Sequence, residues 1–272
     1  MAATVDPNPR HAGRGLRLLA RAGIQVTEPC LAERALRLNE AFNHWIVQGT
    51  PWVIVKAAMT LDGKIATAAG ESKWITGEPA RAWATRLRQG VDAILVGVKT
   101  VLADDPALFA RPVRAGQPAA LLPQPWRVVL DTAARIPVSA RLMTDPHAAR
   151  TIVVVGRQAP QRRVEALQRR VAVWLAPRRA GRVDLAWVLR RLGAQEVTSL
   201  LVEGGGEVQA GFLEQRLAHR VAFFYAPKVL GGRRAHKAVA GRGAQGWAEI
   251  PRLTDLEWRR CGVDLLLWAR VA

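Results

Sequence analysis

The sequence predicts an α/β protein, a mixed sheet with helices on both faces. Three observations predict it. From Thr50 onward, apolar runs of strand length alternate with stretches of helical period. Some of these runs, Ala93-Ile94-Leu95-Val96 above all, show no polar alternation, which is the habit of strands buried on both faces. The chain closes on Glu257 to Arg260 and Asp264 to Arg270, joined by Cys261-Gly262-Val263, a hairpin pattern that adds an antiparallel margin.

Residues 1 to 50 read differently from the rest. Asp6-Pro7-Asn8-Pro9 is a turn cluster. Gly15 to Gly23 reads as a helix closed by its last glycine. Ile24-Gln25-Val26 reads as a short strand. Leu31 to Trp45 reads as a second helix, with Leu31, Ala35, Leu38, Phe42 and Trp45 on one face. This is too little chain for an independent core. Trp52 to Met59 is then an apolar strand, followed by a turn at Asp62-Gly63 and a continuation through Ala66. Thr76 is placed to cap a helix running to about Gln89. Asp92 to Gly97, Arg127 to Asp131, Thr151 to Val155 and Val171 to Leu175 are further strands, and Ala110 to Pro125 reads as a long loop. Asp184 caps a helix from Leu185 to Leu192, which Gly193 ends. Thr198 to Glu203 is a strand, a triple glycine follows, and a helix runs to about Arg216. His219 to Tyr225 is the strand before the terminal hairpin.

Composition narrows the function. Half of the 272 residues are hydrophobic and 23% are charged, a globular balance. No apolar stretch approaches the ~20 residues of a membrane helix. Met1 to Arg21 lacks a signal-peptide layout, so a cytoplasmic protein with no membrane partner is expected. Cys30 and Cys261 give neither a disulfide framework nor a four-thiolate zinc site, and the five histidines form no His-x-x-x-His pair, so no metal is expected. No Gly-x-Ser-x-Gly elbow occurs. The net charge is +18, carried by 34 Arg and 6 Lys against 22 acidic residues. It fits either a generally basic surface or a phosphate-bearing small ligand. No nucleic-acid partner is expected, since no zinc finger, RNA-recognition signature or basic zipper accompanies the charge.

The strongest local signal is Leu200-Leu201-Val202-Glu203-Gly204-Gly205-Gly206 before a helix. Glycines at a helix start expose backbone N–H groups to an anion; a plain tight turn is the alternative. Glu203 ends its strand where open α/β sheets bind ligands. Lys56 lies within an apolar strand, in phase with Trp52, Ile54 and Ala58, so it reaches water at an edge, finds a partner or serves a site. Asp62 has a turn role. Trp74 is a core residue or stacks on a ligand ring. Arg88 closes its helix, where a cation also suits the dipole. Thr100 sits where a strand meets a helix start, and Arg111 follows in a loop where it can grip a phosphate by two bonds.

Lys56-Ala57-Ala58-Met59-Thr60-Leu61-Asp62-Gly63-Lys64, Gly70-Glu71-Ser72-Lys73-Trp74-Ile75-Thr76 and Thr100-Val101-Leu102-Ala103-Asp104-Asp105-Pro106 closely resemble the reductase half of the bifunctional riboflavin-biosynthesis deaminase–reductase. Val202-Glu203-Gly204-Gly205 and Ala226-Pro227-Lys228-Val229-Leu230-Gly231-Gly232 match its later motifs. The resemblance covers residues 50–272, the reductase domain. Residues 1–49 resemble the tail of the deaminase half without its zinc motifs, so deamination is not expected of this chain. The resemblance implies a dihydrofolate-reductase-like fold, a homodimer and NADPH as hydride donor. The implied substrate is 5-amino-6-(5-phosphoribosylamino)uracil, whose ribosyl group becomes ribityl. Its cofactor contacts fall on Ala58, Trp74, Thr100, Asp104, Thr132 and the run Gly205, Gly206, Glu207, Val208, Gln209, Ala210, Gly211. Its substrate contacts fall on Ser72, Arg88, Leu108, Arg111 and Glu203, and Lys56 matches a lysine beside the substrate. Arg135 is near enough to Thr132 to meet a 2′-phosphate. Two other readings stand: a dihydrofolate-reductase-like enzyme of another substrate, and a non-catalytic protein that binds nucleotide or polyanion.

Overall fold

The computed structural model describes residues 1–112 and 122–272, which fall into two compact units. Most of the expected loop from Ala110 to Pro125 lies outside the described residues.

The first unit comprises Met1–Trp52 and Leu189–Ser199. Its helices are α1 (Arg14–Arg21), α2 (Ala32–Leu38) and α3 (Glu40–Gln48). α1 ends as expected, with Gly23 at φ 76°. The single helix expected over Leu31 to Trp45 is two helices. It breaks at Asn39, whose backbone leaves helical angles and whose side-chain amide donates to the Ala35 carbonyl at 3.1 Å. Asparagine competes with the helix ladder in this way. Leu31 and Leu38 are therefore exposed rather than gathered on one buried face. Ile24 to Val26 forms no strand, and Ile24 is exposed; without ladder hydrogen bonds a short extended segment is not a strand. Trp45 Nε1 donates to the Gly193 carbonyl at 2.8 Å. A Cβ on Gly193 would lie 1.9 Å from the Gly49 carbonyl oxygen, so this position requires glycine for close approach.

From Trp52 on, the order is β1 (Trp52–Thr60), β2 (Lys64–Ala66), α4 (Glu78–Gln89), β3 (Ala93–Gly97), α5 (Val98–Asp104), β4 (Trp126–Leu130), α6 (Arg141–Thr144), β5 (Thr151–Gly156), α7 (Gln161–Gln168) and β6 (Ala172–Ala176). There follow β7 (Arg178–Arg179), β8 (Arg182–Val183), α8 (Leu185–Gly193), β9 (Ser199–Val202), α9 (Gly206–Glu214), β10 (Arg220–Ala226), β11 (His236–Lys237), β12 (Leu253–Cys261) and β13 (Asp264–Val271). The second unit, Val53–Val188 with Leu200–Ala272, carries most of these.

Nine strands form one sheet in the order β12-β13-β10-β1-β9-β3-β4-β5-β6. β1 and β10 run parallel, as do β9, β3, β4, β5 and β6 in succession, while β10–β13 and β12–β13 are antiparallel. This is the mixed sheet with an antiparallel margin that the sequence predicts. β3, β5 and β9 are buried along their whole length, which their unbroken apolar runs require. β2 pairs with β11 and not as a continuation of β1. Among the described residues, no helix is long and apolar enough to cross a membrane.

Two helix starts test the capping expectations. The Trp187 amide donates to Asp184 Oδ1 at 3.1 Å, so Asp184 caps α8 as predicted. Thr76 does not cap α4. Gly77 takes the cap position, its own amide donates to Asp264 Oδ2 at 2.7 Å, and Thr76 is buried beside it. That carboxylate lies 187 residues away along the chain, and no side chain makes a capping bond to α4. Arg127, 1% exposed, pairs with Asp145 at 2.6 Å and donates to the carbonyls of Ala107 and Leu142. This buried guanidinium ties β4 to the segment that carries Leu108.

Candidate active site

Every candidate residue lies in the second unit. The centre is a charged triad. Lys56 projects from β1 with its Nζ 5.8 Å from the Phe224 ring centroid. Glu203 follows β9, and its amide donates to the Leu95 carbonyl at 2.9 Å, which fixes the turn against β3. Arg88, in the last turn of α4, meets Glu203 through two hydrogen bonds: Nε to Oε1 at 3.1 Å and Nη2 to Oε2 at 2.5 Å. The Glu203 side chain is 7% exposed and that of Arg88 26%.

Burial acts on all three groups. It pushes the Lys56 ammonium below its ordinary value; Glu203 works against the shift and Arg88 adds to it. Burial alone would raise the Glu203 carboxyl, but Arg88 and Lys56 outweigh it and hold the group at about 2. Burial also opposes the Arg88 charge, and Glu203 more than restores it. The site therefore keeps a permanent carboxylate–guanidinium pair beside a desolvated amine. Arg88 spends its fork on Glu203.

Beside the triad, the glycine turn opens α9. Gly205 is the cap residue, and no side chain caps this helix. A Cβ on Gly204 would lie 2.6 Å from Val208 Cβ, and one on Gly206 would lie 2.2 Å from the Lys237 carbonyl oxygen. Gly205 differs, because nothing comes nearer its Cβ direction than Thr100 Oγ1 at 4.0 Å. Gly204 and Gly206 are required by packing, whereas Gly205 leaves open backbone beside Thr100. The geometry suits a bulky anion approaching the first turn of α9. Trp74 is exposed rather than in the core, and Arg81 lies 4.6 Å from its ring centroid. Lys73 pairs with Asp104 at 3.3 Å. The Thr132 hydroxyl accepts from the Val183 amide at 3.3 Å, and Arg135 pairs with Asp131 at 3.6 Å.

Residues 51–267 match the model of the RibD C-terminal domain family. The chain belongs to that family. The riboflavin biosynthesis protein RibD of Actinobacillus pleuropneumoniae is 40% identical over 262 residues, covering 96% of this chain and 68% of that protein. The 2,5-diamino-6-ribosylamino-4(3H)-pyrimidinone 5′-phosphate reductase of Methanothermobacter thermautotrophicus is 41% identical over 217 residues, covering 80% of this chain and 96% of that one. Acinetobacter baumannii RibD superposes with a TM-score of 0.85 at 30% identity, covering 99% of this chain and 72% of that chain. The dihydrofolate-reductase-like sheet of the RibD reductase domain is thus the fold of this chain.

Within the RibD C-terminal domain, the remaining candidates divide by exposure. Ser72, Ala58, Gly205, Val208 and Glu207 are partly or fully open. Ala210 and Gln209 are buried in α9. Gln209 Nε2 donates to the carbonyls of Gly204, at 2.8 Å, and Lys56, at 3.3 Å, so this side chain joins the lysine strand to the glycine turn. A Cβ on Gly211 would meet Leu185 at 3.2 Å, which assigns that glycine to packing. Leu108 buries its side chain at φ 52°, leaving only its backbone for a ligand. Arg111 is exposed, and its carbonyl accepts from Gln89 at 2.6 Å. Among the described residues no group of three His, Cys, Asp or Glu is arranged to hold a metal.

Two residues escaped the reading of the sequence. Asp62 reads as part of a turn, but its carboxylate accepts from the Thr60 hydroxyl and the amides of Leu230 and Gly231. Lys228 lies in the Ala226 to Gly232 motif, and its Nζ donates to the carbonyls of Trp74 and Ile75. Apart from the Thr60 contact, no local signal finds these pairs, because their members are at least 153 residues apart.

Proposed function

We propose that this chain reduces the ribosyl group of 5-amino-6-(5-phosphoribosylamino)uracil to ribityl, with NADPH as donor, in riboflavin biosynthesis. The observation that carries the reading is the Lys56–Glu203–Arg88 triad beside the open Gly205 turn. Opening the ribosylamine ring leaves an imine at C1′. Reduction then adds a hydride to C1′ and a proton to the nitrogen. NADPH supplies the hydride when bound. Gly205, Thr100 and Thr132 hold its anionic and polar parts, and Trp74 stacks against it. Lys56 donates the proton, and its desolvation makes it the better acid. Glu203 orients the substrate's polar groups while Arg88 keeps it ionised. Arg111 grips the phosphate. Holding donor and acceptor in line supplies much of the rate.

The test is loss of NADPH absorbance with the deaminated substrate, repeated with NADH. Turnover with a clear preference for NADPH supports the reading; binding without turnover sinks it and restores the non-catalytic alternative. A second reading keeps the chemistry and changes the pyrimidine. The archaeal relative, aligned over nearly its whole length, is named for the 2,5-diamino compound. Competition between the two pyrimidines decides which one this chain prefers.

The proposal includes a homodimer. β12 is an edge strand, and Leu256 and Trp258 on it are 57% and 58% exposed, with Leu265 of β13 at 43%. An apolar margin of this kind suits a second copy. Sedimentation of the wild type beside Trp258→Glu tests it.

A further inference from the structure

We propose that Lys228 is a positioning residue that fixes Trp74 for cofactor binding, and that Asp62 anchors the strap on which Lys228 sits. The inference rests on the reading that Trp74 stacks on NADPH. Residues 228–231 leave β10 and cross two site loops. At one end the Asp62 carboxylate accepts three hydrogen bonds: from the Thr60 hydroxyl at 2.6 Å, the Leu230 amide at 3.0 Å and the Gly231 amide at 2.8 Å. The Leu61 amide donates to the Lys228 carbonyl at 2.8 Å, so the strap is tied to the β1 turn from both directions. At the other end Lys228 Nζ donates to the carbonyls of Trp74 at 3.0 Å and Ile75 at 2.8 Å.

The Trp74 ring cannot be placed by packing, since it is 67% exposed. Arg81 touches its face, but a single cation over an exposed ring is a weak restraint. The backbone on either side of the ring is therefore what sets its position. Lys228 holds that backbone from outside the loop. A surface lysine keeps its entropy by moving freely in water, and ordering one against two neutral carbonyls has a conformational cost. That cost suits a device that locates a loop. The Asp62 anchor makes the lever stiff: its bonds to the Leu230 and Gly231 amides order the strap, and the Thr60 hydroxyl holds the carboxylate itself in place.

Direct NADPH titration of the full chain tests the inference on four proteins: wild type, Lys228→Met, Trp74→Ala and the double variant. Lys228 is exposed, so Lys228→Met should keep the wild-type urea midpoint. Its affinity for NADPH should fall about 10-fold, the scale of one charge-assisted hydrogen bond. Trp74→Ala should weaken binding at least as much. The double variant should be no weaker than Trp74→Ala alone, because the lysine acts through the tryptophan. Lys228→Arg should recover most of the affinity. Wild-type affinity in Lys228→Met beside a weakened Trp74→Ala overturns the inference, as does an additive double variant. Wild-type affinity in Trp74→Ala overturns instead the reading that Trp74 touches the cofactor, and the inference falls with it.

Discussion

Replacing Glu203 by Gln removes one charge and little volume, and the triad then loses its only acid. Arg88 is left with a side chain only 26% exposed and no carboxylate. In the wild type the Glu203 carboxyl sits at about 2 against an ordinary value of 4.5. At roughly 1.4 kcal/mol per unit, that difference corresponds to about 3 kcal/mol. Removing one partner of a buried pair costs on the order of 3–5 kcal/mol, so the two estimates agree. The sign follows from a depressed carboxyl. Its stabilisation is present above the unfolded value and is lost as pH falls toward the folded one. Wild-type urea stability should therefore decline between about pH 5 and pH 2 by an amount that Glu203→Gln lacks. A second effect falls on Lys56. Glu203 is the group that raises the Lys56 value, while burial and Arg88 lower it. Without Glu203 the ammonium becomes a stronger acid. A proton donor works while protonated, so the basic limb of the kcat/KM profile should move to lower pH. The assays are urea unfolding across acidic pH and a pH profile of kcat/KM for both proteins. A wild-type urea midpoint, or a basic limb that stays or moves upward, refutes the account of the triad.

Three further outcomes follow from the same geometry. Gly205→Ala should keep the wild-type urea midpoint and weaken NADPH binding, because its added methyl meets open space; Gly206→Ala, whose methyl would strike the Lys237 carbonyl, should lower the midpoint as well, and paired titrations and unfolding curves separate the two. Arg111→Ala should lower kcat/KM for the phosphorylated substrate roughly 10- to 150-fold and leave NADPH affinity near wild type. Asp145→Asn should cost about 3–5 kcal/mol in urea unfolding near neutral pH, since Arg127 is 1% exposed and would lose its only acidic contact among the described residues.

The triad shows why charge in this site is stable at neutral pH. A lone buried carboxylate would protonate and a lone buried amine would neutralise. Here the guanidinium, with Lys56, holds the carboxylate ionised, and the carboxylate opposes the downward push of burial on the amine. Of the two cations, burial loosens the proton on the Lys56 amine, while Glu203 tightens the protons on the Arg88 guanidinium. The proposed proton delivery to an imine nitrogen draws on that loosened proton.

The sequence alone determined what depends on neighbours along the chain. The unbroken apolar runs of β3 and β9 marked buried central strands. Asp184 and Gly193 marked the two ends of α8, because a cap and a terminal glycine act within one turn. The order of motifs gave the family and with it the candidate residues. The break at Asn39 is a local effect that a helical period alone does not display, since it comes from the asparagine side chain bonding the Ala35 carbonyl four residues back. Tertiary structure decided what depends on partners far away. Thr76 has the right chemistry for a cap, but Asp264, brought near by the β12–β13 hairpin, holds the Gly77 amide that precedes α4. Glu203 and Arg88 were legible as separate residues, whereas their pairing across 115 positions came from the crossovers that set β9 beside β3 and α4 over the sheet. Asp62 and Lys228 were invisible for the same reason: a hydrogen bond is specified by two ends, and the sequence displays only one at a time.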